Sequence, residues 1–411
     1  MSSKPITDGF GPCILPRDAA ETEMQPSLNS DELPLAGVQA LVLGAGFGTR
    51  LRPLTETVPK PGIHLLGRPL IGHPLIHLYT AGCMRVWVNA FHQSERLMVT
   101  LDAWVQRRLL RLKLDWSVEG PKILGTGGAL KKLESNLAAS DQPFLLLNGD
   151  AVLSLDLPKL WEAHQRNRAE GAMATLFCLP RADADRFGAV RVNNEGRVLD
   201  MAGLGRLPGT SDEEVAAAAG TIFCGVHVIE PEVLKHLPAA GEFSCIVRQG
   251  YAPLLASGAD IRAELAPTDL LFHDVGTPDR YLDTQADLMR PGGERALAVP
   301  HGIDRSEALF QEASYAVNSE GREFGNPDSV TGLSGAILTP PFFFGPGNQV
   351  ESGARIGPDA SIGALCRIGA GARVEDAALW SQVEVDGGET ISGALASRMG
   401  GERVLIQGRE N

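Results

Sequence analysis

A six-residue rhythm near the C-terminus restricts the fold of this chain more than any other feature. Val350, Ile356, Ile362, Ile368 and Val374 recur every six residues, and small side chains at Ala354, Ala360, Cys366 and Ala372 keep the same register. Gly357, Gly363 and Gly369 directly follow the isoleucines. A chance alternating strand would not hold one register over five hexads. A triangular parallel β-helix would, because each face takes one aliphatic side chain and the coils bury it by stacking. The register slips near Leu379-Trp380 and resumes at Val385 and Ile391. Residues 341–400 are therefore assigned to a hexapeptide-repeat β-helix.

The front of the chain has a different texture. Val38–Leu43 is a short apolar run that ends in glycines, as a buried parallel strand would. Similar runs follow at Val86–Asn89, Phe144–Leu147, Met173–Leu179 and Thr221–Ile229, with helical stretches at Pro69–Ala81 and Glu95–Arg111 among them. Strands alternating with helices, with polar residues at strand C-termini, indicate an α/β domain with a mostly parallel, Rossmann-like sheet and its crevice at those termini. That domain is expected over 37–290. Residues 1–36 read as a mobile extension, and 291–340 as a connector whose helix or strand content the sequence leaves open.

Bulk properties narrow the function classes. A formal charge of −13 argues against nonspecific binding to nucleic acid or to an anionic membrane surface. The six cysteines are scattered without a CxxC pair, which fits a reducing compartment rather than a disulfide framework or a zinc site. The first residues contain no apolar signal-peptide core, and no stretch reaches transmembrane length. The expected location is the cytoplasm.

The chemistry concentrates in Leu43-Gly-Ala-Gly-Phe-Gly-Thr-Arg-Leu-Arg-Pro-Leu-Thr55, followed by Val58-Pro-Lys-Pro61. Glycines at 44, 46 and 48 let backbone N–H groups approach phosphate oxygens with no Cβ in the way. Arg50 offers a forked phosphate donor and Lys60 a second, more mobile positive charge. A dinucleotide fingerprint would need glycine where Thr49 stands, and a Walker loop would need Gly-Lys-Ser/Thr, which is absent. Leu43, Gly44, Ala45, Gly46, Gly48 and Thr49 are thus candidates for gripping a nucleoside triphosphate.

These residues resemble the signature of the NDP-sugar pyrophosphorylases, GxGxRxxPxTxxxPKPxxxxxGxP. Gly46, Gly48, Arg50, Pro53, Thr55, Pro59-Lys60-Pro61, Gly67 and Pro69 match it in full. The tail is similar to those of the mannose-1-phosphate guanylyltransferase-like members, which carry a left-handed β-helix. Three further segments match in order. Leu124-Gly-Thr-Gly-Gly-Ala129 resembles the family's LGTAGA loop, so Gly125 and Thr126, with Glu119 just before them, are implied on the base side. Asn148-Gly-Asp150 and Asp274-Val-Gly-Thr-Pro278 resemble the family's metal-binding segments, which implies magnesium held by Asp150 and Asp274.

The implied reaction is attack of a sugar 1-phosphate on the α-phosphorus of an NTP, with pyrophosphate leaving. The implied catalytic residues are Arg50, Lys60 and Asp150. One departure stands out. Relatives use a Glu-Lys-Pro lysine to hold the sugar phosphate, yet no lysine occurs here between Lys159 and Lys235. Gly188, Asp200 and Arg206, or Arg197 for the charge, are the remaining sugar-side candidates. No histidine follows His301, which removes the histidine base that fused β-helix acetyltransferases use. A homo-oligomer through the β-helix is expected. A noncatalytic NDP-sugar-binding subunit is the alternative, favoured by the missing lysine and opposed by the paired carboxylates. An NAD-dependent dehydrogenase is opposed by Thr49. Guanine, uracil and thymine all remain open as the base.

Overall fold

Apolar runs ending in glycine or asparagine become strands of a nine-stranded mixed sheet in the computed structural model, which describes residues 33–409 apart from 109, 298 and 300–303. The sheet runs Val198–Met201, Val190–Val192, Ala219–Ile229, Phe144–Asn148, Gln39–Leu43, Arg85–Ala90, Lys113–Val118. Ala174–Pro180 pairs with Ala219–Ile229 and with Ile261–Leu265 off that path. The last four strands of the path are mutually parallel, and Ala219–Ile229 joins them antiparallel. From Gln39–Leu43 the chain crosses first to one neighbour, Arg85–Ala90, and later to the other, Phe144–Asn148. The C-terminal ends of Gln39–Leu43 and Phe144–Asn148 therefore flank the topological switch point, where α/β sheets open a crevice.

Helices cover the sheet by simple patterning. In Ser94–Arg107 the buried residues are Leu97, Leu101, Trp104 and Val105, one stripe at helical spacing. That helix is capped at Arg108, short of the expected Arg111, and Gly72–Ala81 begins three residues after Pro69. Of the mobile extension expected over 1–36, residues 1–32 lie outside the described residues. Its last part is anchored: Leu35 is wholly buried and its N–H donates to Ala81 O at 3.0 Å.

The six-residue rhythm forms three parallel sheets. Val350 stacks on Ile368 and Ile356 on Val374, three hexads apart in each case. Ile362 stacks on Leu379, one residue short of that spacing. The slip seen in the sequence is thus one shortened side, between Val374 and Leu379, turned by Asp376 at φ 43°. Every later rung keeps the shorter coil, with Val374 on Ile391 and Leu379 on Ala396. Strands from within 291–340 join this unit. Tyr315–Val317 pairs antiparallel with Phe342–Phe344, Ile337–Leu338 is a first rung, and Arg305–Phe310 is helical. Three-residue strands fall below the window in which periodicity can be read. Antiparallel hairpins, Tyr315–Gly325 and Ala394–Gln407, cap both ends of the longest sheet, where open edges would otherwise invite pairing with other chains.

Ile368 is wholly buried between rungs. Ile368→Ala should lower unfolding stability by about 2–5 kcal/mol, read as a shift in urea midpoint. Among the buried histidines, His73, His77 and His227 are at most 2% exposed. Burial lowers all three, His77 to about 4 and His227 to about 3, from 6.5. Each takes up its proton more readily unfolded than folded. The stability they support is therefore whole above pH 6.5 and is lost as pH falls from 6.5 through the folded values. Urea midpoints measured along a pH series should fall between pH 6.5 and 5, above most carboxylate titration. A flat midpoint in that window would contradict this.

Candidate active site

The crevice at the switch point is built by backbone contacts that only glycine permits. Gly149 N donates to Leu43 O at 3.0 Å, and a Cβ on Gly149 would lie 2.3 Å from that oxygen. The two strand ends consequently touch, so Leu43-Gly44 and Asn148-Asp150 face one space. Gly48 adopts φ 61°, and a Cβ there would meet Thr55 Cγ2 at 2.7 Å and Lys60 Cβ at 2.9 Å. Thr55 Oγ1 closes the loop by donating to Gly48 O at 2.9 Å. Around Gly46, by contrast, nothing lies within 4 Å of a Cβ position. Gly46, Thr49 and Arg50 are exposed, leaving this side of the loop open to a ligand.

A chain of hydrogen bonds ties this loop to the base-side loop. Gly44 N donates to Asn89 Oδ1, Asn89 Nδ2 donates to Glu119 Oε1, and Leu124 N donates to Glu119 Oε2, each at 2.7 Å. Asn89 is 3% and Glu119 4% exposed. Both carboxylate oxygens of Glu119 are thus engaged by the protein, and its role in this arrangement is to hold the two loops at a set spacing. Gly125 adopts φ 72° beneath the Phe243 ring. Gly127 N donates to Ser244 O at 2.8 Å, and Thr126 Oγ1 accepts from Ile246 N at 2.9 Å. The Thr126 hydroxyl therefore pins the loop to the 243–246 segment.

The charged centre brings three distant segments together. Lys60, 7% exposed in a short turn, places Nζ 2.5 Å from Asp150 Oδ2 and 3.7 Å from Asp274 Oδ1. The carboxylates are neighbours because Phe272–Asp274 pairs antiparallel with Ala151–Leu153 and Val275 N donates to Asp150 O at 3.3 Å. Arg280 Nη1 lies 3.5 Å from Asp274 Oδ2. Arg50 rests against Gly276, where a Cβ would come within 2.8 Å of Nη2. Two carboxylates converging on one cation are a hard-oxygen donor set that fits magnesium. Among the described residues no group of three His, Cys, Asp or Glu side chains forms a metal cage, so phosphate and water oxygens would complete such a shell. His273 turns away and pairs with Asp287 at 3.2 Å.

The sugar-side candidates stand apart. Gly188, at φ 79°, packs against Ala202. Asp200 is 9% exposed, and its Oδ1 accepts from Gly203 N at 2.7 Å to form a turn. Arg206 faces two carboxylates, Asp212 at 2.5 Å and Asp200 at 3.7 Å, and Arg197 Nε lies 3.2 Å from Asp260. Arg206 is thus already compensated, Arg197 shares Asp260 with Arg262, and no hydrogen bond or ion pair among the described residues joins Arg197 or Arg206 to Lys60 and Asp150. Asn89, Ser244 and Gly276 were not singled out in the sequence. Asn89 had the one available signal, a polar residue closing an apolar strand as Asn148 does.

Glu119→Gln would set an amide NH2 against one of two donors. Affinity for a nucleoside triphosphate, measured by calorimetry, should fall by about tenfold or more, the scale of one misplaced buried hydrogen bond. Wild-type affinity in that variant would remove the spacing role.

Known proteins place this architecture. The nucleotidyl transferase family model matches residues 39–203. A UTP–glucose-1-phosphate uridylyltransferase of Synechocystis sp. is 27% identical over 367 residues, 85% of this chain and 89% of its own. A mannose-1-phosphate guanylyltransferase of Mycobacterium tuberculosis is 29% identical over 354 residues, 86% of this chain and 83% of its own. A mannose-1-phosphate guanyltransferase of Emericella nidulans is 31% identical over 255 residues, 60% of this chain and 62% of its own. Residues 39–203 thus carry a nucleotidyl transferase domain, with the glycine loop, Lys60 and Asp150 in it and Asp274 brought to the same switch point, in a chain similar over most of its length to sugar-1-phosphate nucleotidyltransferases.

Proposed function

We propose that the chain transfers a nucleoside monophosphate from an NTP to a sugar 1-phosphate, giving an NDP-sugar and pyrophosphate. The observation that carries this reading is the convergence of Lys60, Asp150 and Asp274 beside the open face of the glycine loop. A module that only bound an NDP-sugar would have no use for two carboxylates facing one cation.

The chemistry asks for little beyond placement and charge. A sugar phosphate is largely dianionic near pH 7, its second pKa being about 6, so its oxygen attacks without a general base. That oxygen forms a bond to the α-phosphorus in line with the bond to the β-phosphate oxygen, which breaks as pyrophosphate takes the electron pair. The N–H groups of Gly46 to Gly48 hold the triphosphate, Lys60 meets the α-phosphate, and Arg50, seated on Gly276, meets the leaving pyrophosphate. Asp150 and Asp274 would hold magnesium, which when bound supplies positive charge that offsets the phosphate oxygens. Leu43, Gly44 and Ala45 shape the strand-to-loop turn, and Gly125 borders the base. Gly188 and Asp200 lie nearest the sugar in this reading, while Arg206 shapes their turn.

The names of the relatives make GTP and UTP the first nucleotides to test, with mannose and glucose 1-phosphates. No helix among the described residues is long and apolar enough to cross a membrane. The β-helix is the proposed oligomerisation surface.

Pyrophosphate release is measured over four NTPs and several sugar 1-phosphates with magnesium. Turnover in at least one combination is expected, and Asp150→Asn should reduce it by about a hundredfold or more. Absence of turnover in every combination, together with tight NDP-sugar binding, would establish the noncatalytic alternative.

A further inference from the structure

The helix that follows the second carboxylate is held from two sides. Asp274 ends a strand, Gly276 seats Arg50, and Pro278–Leu288 begins two residues later. Tyr281 and Gln285 are buried on this helix, four residues apart and so on one face. Tyr281 Oη donates to His64 O at 2.6 Å, reaching the hairpin directly after the Lys60 turn. Gln285 Nε2 donates to Asp359 O and Ala377 O, both at 3.1 Å. Those two carbonyls sit on successive coils of the β-helix, at the corner where the coil shortens.

Other contacts bind the same helix to the β-helix along its length. A Cβ on Gly408 would lie 3.1 Å from the Pro278 carbonyl carbon, so the final strand lies against the helix start. Arg409 bridges Asp283 at 3.0 Å and Asp376 at 2.8 Å. Arg290, just beyond the helix, pairs with Asp359 at 3.1 Å. The two Gln285 bonds lie in the interior of this contact, and the arginine pairs flank them at its more exposed rim. Each is directional, so together they determine the position of the helix along its axis as well as its depth.

We infer that Tyr281 and Gln285 are positioning residues through which the β-helix sets Asp274 and the seat of Arg50 against Lys60. The β-helix is then a working part of the active site. Tyr281 fixes the helix to the Lys60 side, Gln285 fixes it to the β-helix, and the strand end with Asp274 follows both. This rests on the proposed nucleotidyl transfer for its kinetic readout, although metal affinity reads it independently.

Tyr281→Phe deletes one hydroxyl, and Gln285→Met deletes the two donors at nearly constant volume. Each is compared with the wild-type full-length protein in three measurements: turnover, Mn2+ binding by electron paramagnetic resonance, and thermal midpoint. Displaced groups should lower kcat by about tenfold, leave KM for the NTP within about twofold, and weaken Mn2+ binding by about fivefold, because binding contacts remain while alignment is lost. The thermal midpoint should move only a few degrees in Tyr281→Phe. Wild-type kcat and Mn2+ affinity in both variants would overturn the inference, as would losses that appear only where the protein is partly unfolded. A wild-type protein that turns over no substrate would count against the proposed reaction alone, and the Mn2+ titration would still decide the role of the two residues.

Discussion

The ammonium of Lys60 between the carboxylates of Asp150 and Asp274 is the contact on which this structure turns. Two carboxylates at neighbouring strand ends repel each other, and a cation between them relieves that repulsion. The three residues come from a turn after the glycine loop, from the end of a central strand, and from a strand far along the chain. Bringing them together requires the strand ends of Leu43 and Asn148 to touch, which Gly149 alone permits. It also requires the Asp274 strand to lie beside Ala151–Leu153. The fold of the first domain can be understood as the scaffold that meets both demands.

Around that centre, polar groups are divided between those that face outward and those that hold loops. Arg50, Thr49 and Gly46 face outward with few protein partners. Glu119, Asn89, Thr55 and Thr126 spend their hydrogen bonds on the backbone of the loops themselves. Such a division suits phosphoryl transfer, where preorganised donors count for more than covalent participation. The β-helix extends the same logic outward, since its corner carbonyls hold Gln285 and its last strand meets the start of the helix that follows Asp274.

Much of this was legible in the linear chain. The hexad is visible because each coil buries a side chain at a fixed interval, and even its slip appears in the sequence one residue early at Leu379. The parallel strands were legible because buried strands need continuous apolar runs. The hairpin around Tyr315–Gly325 was not, because strands of three residues carry too few positions to show alternation. The sugar side was legible only as an absence, a missing lysine. In the structure, Arg197 and Arg206 are each matched to acidic partners that lie close in space.

By itself, the sequence determined the two architectures, the glycine loop and the residue types of the charged centre. These are local properties, written in periodicity, in conformations that glycine alone tolerates, and in a signature contained within a few turns of chain. Tertiary structure alone decided that Lys60 bridges two carboxylates from distant segments. It alone showed that both oxygens of Glu119 are committed to the protein, and that the β-helix grips the helix following Asp274. Those outcomes depend on which strand ends touch and which backbone groups are left needing partners. Contacts of that kind arise only when the chain closes on itself, and no spacing along it encodes them.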